Sequence, residues 1–317
     1  MSTDEHTTAP PFAPFTEPVP APPAAQAPPP ERVFTDRDFW GGGDLDLDAY
    51  LSRVGLSGEL PPTPDTLAVV HRAHLAAIPF ENLNLVLGRS VRLDVPSLTD
   101  KMVHHRRGGY CYEQNLLLAA VLDRLGFPLT AFSARVLMGG DGRPRPSTHA
   151  LLRVAAEGGP WLADVGFGGG GLVEPFPFAD GHQVSQGGWN LRLDRISEVG
   201  DEEWLLRGFN GRRWQNLYSF STAGNLPQDY GIFSHYLTTH PRSPFGNRLM
   251  AARTTGGTRY ALTNTTLTVD RVDGTGEVRE LALGEVGPVL REVFDIDLDQ
   301  QEQSIVQERV RGFLSMG

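Results

Sequence analysis

The sequence predicts an α+β fold in which helices come first, strands follow, and the final third mixes the two. Two observations lead to this class. Apolar residues recur at helical spacing up to residue 128, and short runs rich in β-branched and aromatic residues, separated by Gly and Pro, follow it. Because helices and strands do not alternate, the order argues against a doubly wound parallel sheet. The 317 residues, 40% of them hydrophobic, suffice for roughly two domains.

The first segment, Met1–Arg32, contains ten prolines and almost no aliphatic clusters. Such a composition buries too little apolar surface to offset the entropy lost on ordering. We therefore expect a disordered, Pro-rich tail over 1–36. A segment that docks in an aromatic groove of a partner is the alternative.

Helix signals dominate the next hundred residues. Thr63 is a good N-cap, Pro64 suits the first helical position, and Pro79 ends the helix that they open. An apolar stripe at helical spacing closes on Gly126. The predicted helices are 44–51, 64 to the stop at Pro79, 98–105 and 115–125.

From Leu129 onward the pattern changes to that of strands. Asn210-Gly211 separates two of them and predicts a hairpin with a type I′ turn, and Asp273-Gly274 marks a second connection. The predicted strands are 129–138, 149–155, 161–166, 204–209, 212–220, 258–269 and 278–283. Two helices, over 286–294 and 304–314, are expected to finish the chain.

Composition and charge exclude several classes of function. A net charge of −10 argues against a binder of nucleic acid or anionic membrane, because phosphate-rich surfaces demand a basic face. No stretch approaches the roughly 18 apolar residues that span a bilayer, and no secretory signal opens the chain. The single cysteine excludes an internal disulfide and a Cys-cluster zinc site. We expect a cytoplasmic protein without a metal site.

The lone cysteine, Cys111, lies in a context that favours reactivity. It follows Arg106-Arg107-Gly108-Gly109-Tyr110 and comes just before the helix predicted over 115–125. Its sulfur is therefore expected at a helix N-terminus beside two arginines, and both features favour the thiolate. The two glycines permit a tight turn that aims the side chain into a cleft. An inert core cysteine is the alternative.

A predicted hairpin supplies the base that such a thiol needs. His149 opens one strand and Asp164 lies on the return strand. If the turn is centred between Glu157 and Gly158, the two residues are diagonal neighbours on one face, within reach of an imidazole and a carboxylate. An aspartate on an otherwise apolar strand is costly unless it is paired. With Cys111 they predict the nucleophile, base and orienting acid of acyl transfer.

The remaining histidines outside the tail are weaker candidates for the base. Two belong to a solvated helix surface, and two others share a helix face without further ligands for a metal: His104, His105, His71 and His74. Three lie in loop-like sequence with no acid placed to orient them: His182, His235 and His240.

Several motifs occur in one order along the chain. They are Ile78-Pro-Phe-Glu-Asn82, Arg107-Gly-Gly-Tyr-Cys-Tyr-Glu-Gln-Asn115, Ser133-Ala-Arg-Val136, Thr148-His149, Asp164-Val-Gly-Phe-Gly168 and Thr239-His-Pro-Arg-Ser-Pro-Phe245. In order and spacing they resemble the motifs of the arylamine N-acetyltransferases. The resemblance spans roughly residues 45 to 310 and excludes the tail.

The resemblance implies a three-part fold: an N-terminal helical bundle (37–128) carrying the cysteine, a small β-barrel (129–220) carrying the histidine and aspartate, and an α/β lid (221–317). A Cys-His-Asp cleft lies between the parts. It also implies ping-pong chemistry, in which acetyl-CoA acylates Cys111 and a small arylamine or arylhydrazine then attacks the thioester. Acetyl-CoA is a substrate, and no cofactor is bound permanently.

The same motifs imply roles for further residues. The acceptor pocket would be lined by Phe80, Val136, Phe167 and Phe245. Contacts to CoA would come from Thr148, Gly166 and Gly168, where a glycine-rich loop allows close approach to the backbone. Residues that support the site would be Arg107, Glu81, Glu113 and Asn115.

The site residues leave other activities open. An amide synthase that releases a polyketide onto an arylamine, often as a macrolactam, would keep the same three residues. A cysteine hydrolase would let water resolve the acyl-enzyme. A non-catalytic binding protein would use the cleft for aromatic ligands, and its Cys111 would resist alkylation.

Overall fold

The computed structural model of the chain describes residues 39–140, 142–143, 145–196, 202–241 and 243–316. The disordered tail expected over 1–36 lies outside the described residues.

The part before residue 128 is helical, as the apolar spacing predicts. Its elements are Leu47–Val54 (α1), Pro64–Ala77 (α2), the short strand Phe80–Glu81 (β1), Leu83–Val86 (α3), Val95–Thr99 (α4) and Cys111–Arg124 (α5). Thr63 caps α2 through the backbone N–H of Thr66, and Pro64 occupies the first turn. Helix α1 begins three residues later than expected, because Asp46 caps it.

The helix expected over 98–105 is wrong in both bounds and type. Asp94 accepts the N–H of Ser97 and starts α4 early, and the chain then widens into a π-helical turn, Asp100–His104. Pro96 in the first turn of α4 favours the earlier start. The next helix, α5, begins at Cys111 instead of 115.

A nearly closed, barrel-like antiparallel sheet of eight strands follows in the described part of the chain. Its strands are Leu129–Val136 (β2), His149–Ala156 (β3), Gly159–Ala163 (β4), Phe176–Pro177 (β5), His182–Gln186 (β6), Trp189–Arg195 (β7), Glu203–Phe209 (β8) and Trp214–Ser221 (β9). Their order is β5-β4-β3-β2-β9-β8-β7-β6. Phe132, Leu206 and Tyr218 are among the residues of its core.

The type I′ turn predicted at Asn210-Gly211 is wrong. Phe209 pairs with Trp214, so the loop has four residues, and the side chain of Asn210 accepts the N–H groups of the two arginines that follow Gly211. Asn210 thereby stabilises an open loop, whereas a type I′ turn needs positive φ at both central residues. A turn with that property joins β6 to β7, at Gly187 (φ 57°) and Gly188 (φ 94°).

The last third contains a second sheet and three helices. These elements are Pro227–Thr239 (α6), Met250–Thr255 (β10), Thr258–Thr263 (β11), Thr266–Arg271 (β12), Gly276–Glu280 (β13), Val286–Phe294 (α7) and Gln300–Met316 (α8). The sheet has the order β1-β10-β11-β12-β13, so the short strand β1 joins it from the helical part. Leu83 and Val86 of α3 pack into its core with Leu290 and Phe294.

Two predicted strands in this part differ from the structure, as do the loops predicted around two histidines. The strand expected over 258–269 is a hairpin, because Asn264 adopts positive φ (54°) and Thr263 pairs with Thr266. The strand expected over 278–283 ends at Glu280. His235 lies on α6 and His182 on β6, although both were expected in loops.

Candidate active site

Cys111 is the first residue of α5 and is 3% exposed. Its Sγ lies 3.6 Å from the carbonyl oxygen of Thr148, immediately before β3. Neither of the glycines that precede it has positive φ, so a left-handed backbone conformation is not what requires glycine here. A Cβ on Gly108 would overlap the carbonyl oxygen of Pro79, and a Cβ on Gly109 would lie 2.7 Å from Glu113. The glycines therefore allow the chain to pass close to its neighbours.

The two arginines before Cys111 form ion pairs with carboxylates. Arg106 binds Asp295 at 2.8 Å, and Arg107 binds the buried Glu81 at 3.0 Å. Each of the two charges is therefore paired with a carboxylate, and the support that the sequence expects them to give a thiolate stays a prediction. Cys111 is one of the groups that raise the pKa of His149.

His149 and Asp164 meet at the end of the β3–β4 hairpin. The turn is centred between Glu157 and Gly158, as the sequence predicts, because Ala156 pairs with Gly159. Strand β4 ends one residue before Asp164, whose side chain is thus placed diagonally from His149. Nε2 of His149 lies 2.7 Å from Oδ2 of Asp164, and both residues are buried.

Asp164 is held as a carboxylate by three donors. Its Oδ2 binds His149, and its Oδ1 accepts the Nδ2–H of Asn115 and the N–H of Gly166, each at 3.0 Å. Burial acts to raise the pKa of Asp164, but the charge of His149 and these hydrogen bonds outweigh it and hold the pKa below its usual range. Burial likewise acts to lower the pKa of His149, yet Asp164 and Cys111 raise it to about 10.

Asn115, predicted as a supporting residue, fastens α5 to the hairpin. Besides Asp164, its Nδ2 binds the carbonyl oxygen of Ala150 at 2.7 Å, and its Oδ1 accepts the N–H of Val165 at 3.1 Å. A Cβ on Gly166 would lie 2.6 Å from this amide and 2.8 Å from Cys111. Gly166 therefore lets the end of the hairpin approach α5 closely.

A buried ionic cluster joins β1 to the first turn of α5, the helix that begins at Cys111. Glu81 binds Arg107, and Lys101, from the π-helical turn, lies 2.7 Å from Glu113 and 3.8 Å from Glu81. Burial acts to raise the pKa of Glu81, but Arg107 and Lys101 lower it below its usual value. For Glu113, burial prevails and raises the pKa, with Lys101 opposing. Glu113 also accepts the N–H of Tyr110 at 3.0 Å and so caps α5.

Lys101 is a member of this cluster that sequence reasoning missed. The signal was the charge balance: the supporting residues that the motifs predict include two acids, Glu81 and Glu113, but one cation, Arg107. Two carboxylates that share one cation are too costly to bury. A second cation was therefore required within reach of both.

Aromatic side chains surround the reactive groups. Phe80 and Phe245 lie 6.2 Å apart between ring centroids, and Tyr110 lies 5.6 Å from Phe245. The ring centroids of Phe167 and Tyr218 lie 5.3 and 5.2 Å from that of His149. Sequence reasoning missed both tyrosines.

The residues that the motifs assigned to the acceptor pocket and to CoA include Val136, Gly168 and Thr148, and each has different neighbours. Val136 pairs with Tyr218 across β2 and β9, on the side of His149. Gly168 (φ 81°) approaches Phe80, whose ring would lie 3.4 Å from a Cβ at that position. Thr148 is placed by its carbonyl group, which faces Cys111.

Two kinds of feature are absent from the described residues. Within these ranges, no group of three or more His, Cys, Asp or Glu side chains is arranged to hold a metal ion. Nor does any helix there have the length and apolar character needed to cross a membrane.

Comparisons with known proteins agree on one family. A family model described as N-acetyltransferase matches residues 63–303. The arylamine N-acetyltransferase of Mycolicibacterium smegmatis is 40% identical over 271 residues, which are 84% of this chain and 97% of that protein. The crystal structure of the Nocardia farcinica arylamine N-acetyltransferase superposes with a TM-score of 0.82 at 43% identity, covering 86% of this chain and 97% of the other. The Mycobacterium marinum enzyme in complex with CoA gives 0.76 at 34% identity, covering 84% and 99%.

Proposed function

Because the chain belongs to the arylamine N-acetyltransferase family, we propose that it moves an acetyl group from acetyl-CoA to an arylamine or arylhydrazine through a thioester on Cys111. The observation that carries this proposal is the 2.7 Å contact between His149 and Asp164, with Cys111 close enough to help raise the pKa of His149. Nucleophilic acyl transfer uses a thiol next to an imidazole that is itself bound to a carboxylate.

The resting state follows from the charge of His149. With a pKa of about 10, the ring carries its proton at neutral pH and stands beside the sulfur as an imidazolium, the charge that a thiolate nucleophile needs. Because Nε2 is bound to Asp164, Nδ1 is the nitrogen left for Cys111. Asp164 fixes the ring and stabilises its positive charge.

The first half-reaction acylates Cys111. The thiolate attacks the carbonyl carbon of acetyl-CoA and forms a carbon–sulfur bond, and the bond to the CoA sulfur then breaks. CoA leaves as a thiol after it takes the proton from His149. The ring is then neutral beside the acetyl thioester.

The second half-reaction regenerates the enzyme. The amine nitrogen attacks the thioester, His149 accepts the proton that the nitrogen loses, and the bond to Cys111 breaks. The products are the acetylated amine and the starting thiolate–imidazolium pair. The same ring thus acts as an acid in one half-reaction and as a base in the other.

The relatives and the residues around the proposed triad support both substrate assignments. The Mycobacterium marinum structure holds CoA, and the relatives are named for arylamine acceptors. The ring cluster of Phe80, Tyr110 and Phe245 offers aromatic faces to an arylamine. We place the thiol end of CoA near Thr148 and Gly168, where the backbone is open to approach.

The test is an intact-mass measurement after incubation with acetyl-CoA and no amine, followed by peptide mapping. We expect one acetyl group on Cys111, discharged by an aromatic amine, and none on Cys111→Ala. If Cys111 alkylates readily but acetyl-CoA leaves it unmodified, the donor is a different acyl group, as in an amide synthase. Release of acetate without amine would instead indicate a hydrolase.

A further inference from the structure

His71 of α2 contacts the backbone of Asp164. Its ring is fully buried, and its Nε2 accepts the backbone N–H of Asp164 at 3.2 Å. Its Nδ1 lies 3.2 Å from the carbonyl oxygen of Val173. Because an N–H points at Nε2 and a carbonyl oxygen faces Nδ1, the two contacts together assign a neutral ring with its proton on Nδ1.

The two partners of His71 are the ends of one loop. Residues 164–173 begin at Asp164, contain the glycines from Gly166 to Gly171 together with Phe167, and end at Val173. One imidazole therefore closes the base of the loop that borders His149. Asn115 holds the carboxylate of Asp164, whereas His71 holds the backbone from which that carboxylate projects.

We propose that His71 is a positioning residue: by holding the backbone of Asp164 it fixes the carboxylate that orients His149, and so sets the reactivity of Cys111. This inference rests on the proposed function. It assigns His71 no contact with substrate.

The surroundings keep His71 in the state that the geometry requires. Burial lowers its pKa to about 4, against the opposing charge of Asp164. The other ionisable groups that act on it are Glu174, which favours the charged ring, and His74 on the same helix, which interacts with it. A protonated ring would turn Nε2 into a donor aimed at another donor, so the neutral form alone can hold Asp164.

Three substitutions separate the two contacts of His71. His71→Leu removes both, and His71→Asn keeps an amide near the position of Nδ1 but is too short to reach the N–H of Asp164. His71→Gln provides a donor and an acceptor at the reach of the native ring, without titration. Arg72→Ala is the matched control, because Arg72 also joins α2 to the end of this loop through an exposed ion pair with Glu174 at 2.9 Å.

The measurements are the rate of Cys111 alkylation by iodoacetamide against pH, the kcat and KM for an arylamine, and the melting temperature. For His71→Leu and His71→Asn we expect a shifted alkylation profile and a kcat lowered about tenfold, the effect of losing one oriented hydrogen bond, with KM for the amine little changed. His71→Gln should recover most of kcat. Arg72→Ala should keep the native profile.

A folded His71→Asn enzyme with native kcat and native alkylation profile would overturn the proposal, even if its melting temperature fell. This variant decides the question if His71→Leu does not fold. The alkylation profile does not depend on acetyl-CoA. A wild-type enzyme that acetyl-CoA fails to acetylate would therefore count against the proposed function, while a profile that shifts in the variants would still support the positioning role.

Discussion

The side-chain amide of Asn115 donates to Oδ1 of Asp164 at 3.0 Å, and its Oδ1 accepts the N–H of Val165. One side chain of α5 therefore forms two hydrogen bonds to the end of the β3–β4 hairpin. The same helix begins with Cys111. Cys111 and the carboxylate of Asp164 are therefore placed relative to each other by a single helical turn.

Asp164→Asn is expected to lower kcat by about 10²–10⁴-fold without unfolding the protein, because the change keeps the shape but removes the charge that stabilises the imidazolium. The pKa of His149 should fall, since Asp164 makes the largest of the contributions that raise it. The pH–rate profile and the alkylation profile measure both effects. Asp273→Asn, an exposed aspartate in the turn between β12 and β13, is the control. Native turnover in Asp164→Asn would contradict the triad.

Lys101→Met is expected to lower the free energy of unfolding by about 3–5 kcal/mol at neutral pH, because it leaves Glu81 and Glu113 buried with one cation. The loss should shrink as pH falls, since Glu113, whose pKa is already raised, then takes up a proton. Urea unfolding at two pH values measures this.

The matched control for Lys101 is the double variant with Glu113→Gln. It removes the carboxylate that Lys101 binds at 2.7 Å and should recover part of the stability. A single variant that is as stable as the native protein would show that water solvates the cluster.

Two glycine-to-alanine substitutions are expected to change the free energy of unfolding in opposite directions. Gly108→Ala should destabilise by about 3 kcal/mol, because its Cβ would overlap the carbonyl of Pro79. Gly231→Ala should stabilise by about 0.5–1 kcal/mol, because this glycine lies inside α6 with nothing near its Cβ position. Thermal unfolding of both variants tests the assignment of Gly108 to close approach, and equal effects would refute it.

Local signals in the sequence predicted much of the fold around the site. Thr63 and Pro64 marked the start of α2, and the turn between Glu157 and Gly158 set the register that brings His149 to Asp164. Each of these depends on residues within a few positions of one another. Even the first residue of α5 was missed by only four positions.

Two contacts between distant segments could not be predicted from the sequence. Asp164 and His71 are separated by 93 residues, and no pattern within α2 indicates which backbone group its histidine will meet. The charge of Lys101 could be inferred only by counting buried acids. The turn at Asn210 failed because its side chain satisfies the loop backbone, a competing local structure that an Asn-Gly pair does not distinguish.

Two buried histidines should lower the stability of the folded protein at acid pH. His71 and His74 are buried and neutral, and burial lowers their pKa values to about 4 and about 3, from 6.5 in the unfolded chain. Between pH 6.5 and about 4 the unfolded state binds protons that the folded state refuses, so stability falls as pH falls through that window. At pH 5 each histidine should cost about 2 kcal/mol relative to pH 7.

His149 acts in the opposite direction and elsewhere on the pH scale. Its pKa is raised to about 10, so its stabilising contribution is complete below pH 6.5 and is lost as pH rises towards 10. Urea unfolding of wild type and His71→Gln at pH 7 and pH 5 isolates the acid contribution, because the glutamine keeps both hydrogen bonds but does not titrate. The variant should lose about 2 kcal/mol less than wild type between these pH values. Equal losses in the two proteins would mean that His71 takes up a proton in the folded state and that its bond to Asp164 does not require the neutral ring.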